Sequence, residues 1–365
     1  MMEHGSLGGA KEHMASVTVP LAAGISNLYF LLTFGGSGSN TVVYLTHTAV
    51  WGMILLAAYV AWRKHGGADK RRRIVTVLAV FAAIGVLLAT GQAHWLPQAS
   101  YFLYPVFLPV FMDWIFRQRD CRDGKDILAA TAAACLGSLL LQRVLLAVGY
   151  YEFPTRRFAL CPALFFLLVT DIVIWDEWKK WKALQGRRMV LSIVLAAYNA
   201  VGAGWCLFQN RRYCRILMGL IKGDASTAYW EGYRISAIRS VVLGDFSGLE
   251  EAYPHESYWM PLERDTLAAV WYHYGWVPVI ALVALLLAVV FLLLGKGRKR
   301  MPDDIRYLAV GYVIRMALCV FAALNLLVSE GMAFPFTGVE SPEIVFLAIV
   351  LHETKYRREV GHGIV

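Results

Sequence analysis

Hydrophobic positions along the chain gather into long uninterrupted runs, with the polar residues collected between them. The runs cover residues 17–34, 42–62, 74–90, 101–116, 127–150, 158–175, 189–208, 267–294 and 305–328. A helix crossing the hydrocarbon core of a bilayer needs about 20 apolar residues, so each run predicts a membrane-crossing helix. A tenth run, 343–352, is short and reaches the interface with Lys355, Tyr356 and Arg357 snorkelling beyond it. One connection stands apart by its length, 209–266, and a connection that long in a compact protein usually has a function. Within it Trp230, Tyr233, Ile235, Ile238 and Val242 alternate with Glu231, Arg234, Ser236 and Arg239 at helical spacing. That pattern predicts an amphipathic helix lying on the membrane surface.

The charges orient the runs. Basic residues next to membrane spans collect on the cytoplasmic side. With the N-terminus inside, the second loop holds Arg63, Lys64, Lys70, Arg71, Arg72 and Arg73, and the fourth Arg117, Arg119, Arg122 and Lys125. The sixth holds Lys179, Lys180, Lys182, Arg187 and Arg188, and the eighth Lys296, Arg298, Lys299 and Arg300. The first, third and ninth loops, on the other side, lack basic residues, and the fifth has only Arg156 and Arg157. A basic tail with Lys355, Arg357 and Arg358 returns to the inside, which requires the tenth span. The expected fold is an all-α polytopic membrane protein with about ten transmembrane helices and both termini cytoplasmic. A large extracellular loop joins helices 7 and 8, and residues 1–365 form a single domain.

Composition agrees. The 365 residues are 58% hydrophobic and 17% charged, against roughly 25% charged in a soluble domain, and mean hydropathy is +0.52. This excludes a soluble enzyme, a nucleic-acid-binding domain and a disordered chain. The net charge of +9 belongs to the cytoplasmic loops, with no nucleic acid implied. The six cysteines show no metal-type spacing, and no Walker loop, zinc motif or dinucleotide fingerprint occurs.

Three segments resemble, in order, those of the SEDS family of bacterial cell-wall proteins (shape, elongation, division and sporulation). In the stretch RRYCRILMGLIKGDASTAYWEGYRISAIRSVVLGDFSG, Tyr213, Arg215, Ile216, Asp224, Gly232, Tyr233, Ser240, Gly244 and Gly248 match the family's large loop. In LERDTLAAVWYHYGW, Asp265, Ala269, Val270 and Gly275 match the exit from that loop. In NLLVSEGMAFPFTGVESPEIV, Asn325, Pro335, Thr337, Gly338 and Pro342 match a segment with the pattern Pro-x-Thr-Gly-x-x-x-Pro. The N-terminal half is similar through Trp95, Pro105 and Gln142. It departs in having no Asp after Gln142 and no Lys in the span of Pro105. Downstream of Pro342 there is no Ser-Tyr-Gly-Gly-Ser-Ser.

The resemblance implies a peptidoglycan glycosyltransferase that polymerises lipid II at the outer face of the bacterial cytoplasmic membrane, during division, elongation or sporulation. It implies a class B penicillin-binding protein, a transpeptidase, as partner, alongside membrane lipids. Such chemistry needs a group to take the proton of the attacking sugar hydroxyl and positive charge for the pyrophosphate leaving group. Asp265, at the mouth of the run 267–294, suits the first task as general base, or as ligand of a divalent cation (magnesium or manganese) that orients the sugars. An Asp before an apolar run is also a common helix cap, and the two roles are compatible. For substrate binding the candidates are Arg215, Tyr233, Ser240, Arg264, Thr337 and Gly338. Arginine suits phosphate through its planar fork.

Four ionisable residues fall inside the runs: Asp113, Arg143, Asp171 and Arg315. Charge at membrane depth is costly and usually faces the protein interior. Asp113 and Asp171 lie near the cytoplasmic ends, where snorkelling to the interface accounts for them. Arg143 and Arg315 lie deeper, where each could pair with a carboxylate or touch a lipid headgroup. Two other readings compete with the enzyme: a non-catalytic scaffold of the same fold that recruits a cell-wall transpeptidase, and a flippase or transporter of a lipid-linked precursor, for which Pro105, Pro109 and Pro162 allow broken helices.

Overall fold

The computed structural model describes residues 17–29, 124–150, 160–180, 188–209, 266–294 and 303–323 almost throughout, and positions within 108–116, 218–222, 335–337 and 347–351 together with Leu243. Among these, every regular element is helical. We number them α1 (Val17–Ser26), α2 (Gly124–Tyr150), α3 (Leu160–Lys180), α4 (Arg188–Gln209), α5 (Thr266–Tyr274), α6 (Trp276–Leu294) and α7 (Asp303–Ala323). Further helical residues occur at Leu108, Met112, Leu347 and Val350. The expected runs 42–62 and 74–90, the amphipathic stretch 230–242 and the tail lie outside the described residues.

Among the described residues three helices are long and apolar enough to cross a membrane: α2 over Gly124–Gln142, α4 over Arg188–Trp205, and α6 along its full length. They suggest a multi-pass membrane protein. The most apolar is α6, whose 19 residues carry no charge and reach about 28 Å, close to the hydrocarbon depth of about 30 Å. Its buried side is a stripe of Val279, Leu282, Val289 and Leu293. Its other faces expose Trp276, Val277, Ile280, Leu287 and Phe291, which suits acyl chains and not water.

Most of the charged residues of the described helices sit on α3 and α7, and among the described elements these two share the most extensive contact. Two buried apolar clusters flank the contact. One joins Leu108 and Met112 to α2, α3 and α4 through Phe165, Phe166, Val173 and Tyr198. The other joins α1, α5 and α6 to Phe336, Leu347 and Val350. Helix α7 belongs to both, giving Tyr307 and Leu318 to the first and Leu308, Ala309, Tyr312 and Met316 to the second.

Polar contacts fix which ends meet. Arg306, at the start of α7, pairs with Asp176 near the end of α3. The Tyr307 hydroxyl donates to Glu177, which also takes the Lys180 ammonium at 2.6 Å. The Trp178 indole donates to Thr131 Oγ1, in the second turn of α2, at 3.1 Å. The starts of α2, α4 and α7 and the ends of α3 and α6 therefore share one end of the bundle. Lys125, Lys179, Lys180, Arg188 and Arg306 are at this end, which borders the fourth, sixth and eighth loops of the sequence reading.

One expected helix is two. The run 267–294 breaks at Gly275, which has φ +78° and whose N–H donates to Trp271 O at 2.8 Å. A left-handed glycine closes α5. Pro278 then sits in the first turn of α6, where its missing N–H costs nothing. Periodicity sees only an apolar run and misses the break. At Asp171 snorkelling proves not to be the arrangement. The Asn199 amide from α4 donates to both of its carboxylate oxygens at 3.0 Å and to Leu195 O at 3.1 Å. Arg315 is 1% exposed, so it points into the protein and not to a lipid headgroup.

A Cβ at position 275 would meet nothing within 4 Å, so the cost of Gly275→Ala is conformational alone. We expect a loss of about 1–2 kcal/mol, and a smaller one for Gly275→Asn. Thermal unfolding of the detergent-solubilised protein measures both, and equal stability of all three would show that the break does not depend on glycine.

Candidate functional site

At the end of the bundle away from the basic residues, three separate pieces of chain converge. Leu267 and Val270 of α5, Ala23 of α1 and Phe336 are all buried in the second apolar cluster, with Tyr312 and Met316 of α7 beneath. The Ser26 hydroxyl, at the end of α1, donates to Phe336 O at 3.0 Å. Tyr29, just beyond, meets Tyr274 edge to face with ring centroids 6.0 Å apart. Tyr29, Tyr272, Tyr274 and Trp276 each keep a substantial exposed surface, as aromatic side chains do at a membrane–water boundary.

The turn at 335–337 holds the one non-glycine residue with a positive φ among the described residues. Phe336 has φ +68°, a left-handed conformation that costs a side chain with a Cβ about 1–2 kcal/mol. Burial of its ring and the bond from Ser26 hold it there. Strain of this kind gathers at functional sites, where the surroundings over-determine it. Thr337 follows and is 1% exposed, so this candidate substrate-binding residue has its side chain inside the protein and not in an open outer cavity.

The remaining sequence candidates, Asp265, Arg215, Tyr233, Ser240, Arg264 and Gly338, lie outside the described residues, as does Asp113. Helix α5 begins at the residue after Asp265. Of the two family-like segments that include Asp265–Gly275 and Pro335–Gly338, the described parts thus meet in one buried cluster. Among the described residues no group of three or more His, Cys, Asp or Glu side chains could hold a metal ion.

A second polar assembly lies deeper, where α2, α3 and α4 meet. Ser138 Oγ is 2.9 Å from both Thr170 Oγ1 and Tyr198 Oη, and Tyr198 donates to Phe166 O at 3.2 Å. All three side chains are buried. Tight packing accompanies them: a Cβ at Gly202 would come within 2.6 Å of Leu167 Cδ2, so the leucine side chain as it lies fits only against a glycine. Small residues that let helices approach and hydroxyls that bond across them are the usual adhesive of membrane helices, so this assembly reads as structural. The sequence reading missed Ser26, Asn199 and the Ser138–Thr170–Tyr198 group. Asn199 alone offered a signal, as an amide within an otherwise apolar run.

No family model, curated protein or solved structure matches the chain.

Ser26→Ala removes the side-chain bond to Phe336 O and leaves the packing nearly unchanged. We expect a loss of about 1 kcal/mol in reversible unfolding, with a rise in proteolytic susceptibility localised to 335–337. An unchanged protease map would mean that apolar packing alone fixes the turn.

Proposed function

We propose that the chain is a ten-span enzyme of the bacterial cytoplasmic membrane that polymerises lipid II into glycan strands at the outer face, as the resemblance to the SEDS family implies. The observation that supports this reading is the meeting of the two family-like segments. The helix that follows Asp265 and the strained turn before Thr337 and Gly338 are some seventy residues apart in sequence, yet share one cluster at the end remote from the basic residues. In this reading Asp265 takes the proton of the acceptor hydroxyl, or holds the divalent cation that orients the sugars. Arg215 and Arg264 face the pyrophosphate, while Tyr233, Ser240 and Gly338 contact the disaccharide lipid. Thr337, being buried, acts by shaping the turn. A class B penicillin-binding protein crosslinks the strands made.

A second reading rests on the departures from the family pattern: no Asp after Gln142 and no serine- and glycine-rich segment after Pro342. In that reading the chain is a non-catalytic scaffold that recruits the transpeptidase.

Two measurements bear on these proposals. For topology, single cysteines are placed in a background without native ones. Those at Ser37 or Ser226 should react with an impermeant thiol reagent on intact cells, and those at Ala68 or Gly297 should not. Labelling at Gly297 from outside overturns the ten-span order. For chemistry, Asp265→Asn keeps helix-capping ability but removes the charge. Lipid II polymerisation by the purified protein with its transpeptidase partner should fall by about 10²–10⁴ without loss of membrane level. Glu263→Gln serves as the control. Wild-type rates in the Asn variant refute the assignment, and an inactive wild type with partner present supports the scaffold.

A further inference from the structure

Helices α3 and α4 pack against each other, and the line along which their exposed strips meet is termed the furrow. On α3, Leu168, Asp171, Trp175 and Lys179 follow one another at helical spacing along a single strip. Leu168, Trp175 and Lys179 are exposed, Trp175 by 54%, and Ile172 beside them is exposed as well. On α4 the strip facing this one is Arg188, Ser192, Ala196 and Asn199 by the same spacing. The two strips are tied across the furrow by the Asn199–Asp171 hydrogen bonds. One wall is therefore bulky and apolar. The other is small, with Ser192 and Ala196 exposed.

The furrow has a cationic mouth. The antiparallel pairing of 171 with 199 brings Arg188 within about one helical turn of Lys179 along the axis. Both are exposed. The Lys179 ammonium lies 5.8 Å from the centroid of the Trp175 ring, which fixes it at the depth of an interfacial tryptophan. The neighbouring carboxylates are already engaged, Asp176 by Arg306 and Glu177 by Lys180 and Tyr307. Asp171 is eight residues from Lys179, about 12 Å along the helix, and Asn199 bonds both its oxygens. An anion at the mouth meets Lys179 and Arg188 without an opposing free carboxylate among the described residues.

We propose that this furrow binds one anionic phospholipid, its phosphate between Lys179 and Arg188 and an acyl chain lying over Ile172 and Trp175 beside Ser192 and Ala196. The partner follows from charge complementarity at the mouth together with an exposed apolar track leading away from it. The site rests on the membrane-spanning reading of α3 and α4 and is independent of any polymerase activity.

The test uses the full chain reconstituted in nanodiscs of equal parts phosphatidylglycerol and phosphatidylcholine. Lipids retained after extraction are counted by native mass spectrometry. Quenching of Trp175 by brominated lipid is taken as the difference between wild type and Trp175→Phe. The wild type should retain phosphatidylglycerol, and Trp175 should be quenched more by its brominated form than by brominated phosphatidylcholine. Lys179→Gln and Arg188→Gln should each weaken retention about fivefold, in line with the effect of one cation at an anionic surface. Lys125→Gln, which removes an exposed cation at the same end but outside the furrow, should leave it unchanged. Equal retention of the two lipids, or an equal loss in Lys125→Gln, overturns the site. So does displacement by inorganic phosphate, which would mark an anion site without lipid character. A protein inactive toward lipid II that still retains phosphatidylglycerol refutes only the enzymatic reading.

Discussion

The contact between α3 and α7 is the constraint on which the rest of the bundle depends. A lipid environment leaves polar groups no solvent to fall back on, so each must be satisfied inside the protein or at its rim. Helices α3 and α7 carry Asp176, Glu177, Lys180 and Arg306, and meet these demands mutually, with Tyr307 as intermediary. Tyr307 also receives the Lys180 ammonium at 3.3 Å. With Asp176, Glu177 and Lys180 engaged there, α3 packs its apolar residues against α2 and α4, and Asp171 finds a separate partner in Asn199 of α4. Because α7 contributes to both apolar clusters, it fixes the two halves of the protein to each other. Helix α6 carries no charge and needs no such partner, whereas α4 meets α3 through Asn199 and Tyr198.

How much of this the sequence discloses depends on the kind of force involved. Burial in hydrocarbon acts on whole runs, so α2, α4 and α7 begin and end within a few residues of the runs that predict them. Helix α3 continues past its run to Lys180 because Asp176, Glu177 and Lys180 find partners on α7 and extend the helix into the interface. The break at Gly275 was hidden because periodicity reports hydrophobicity and not backbone handedness. Asn199 and Ser26 were hidden for another reason. Their partners, Asp171 and Phe336, are 28 and 310 residues away, and a single sequence carries no record of such pairings.

The candidate site is legible in the same uneven way. Asp265 stands out because a carboxylate before an apolar run is conspicuous and because it falls in a family-like segment. Thr337 stands out only by resemblance, and its side chain is buried and not set at an open surface. Phe336 gives no sequence signal, since nothing in its identity foretells a left-handed backbone. The physical cause is external to it: the Ser26 hydroxyl and the packing of α1 and α5 hold a conformation that the residue would not choose alone.

The left-handed residue between α5 and α6 has a consequence for the match between protein and bilayer. A continuous helix from Thr266 to Leu294 would be about 43 Å long, and a lipid film thinner than that would force it to tilt or to stretch the surrounding lipid. Divided at Gly275, only the 19 residues of α6 must fit the hydrocarbon. The nine residues of α5 are then free of that requirement and take their position from α1 and the turn at Phe336.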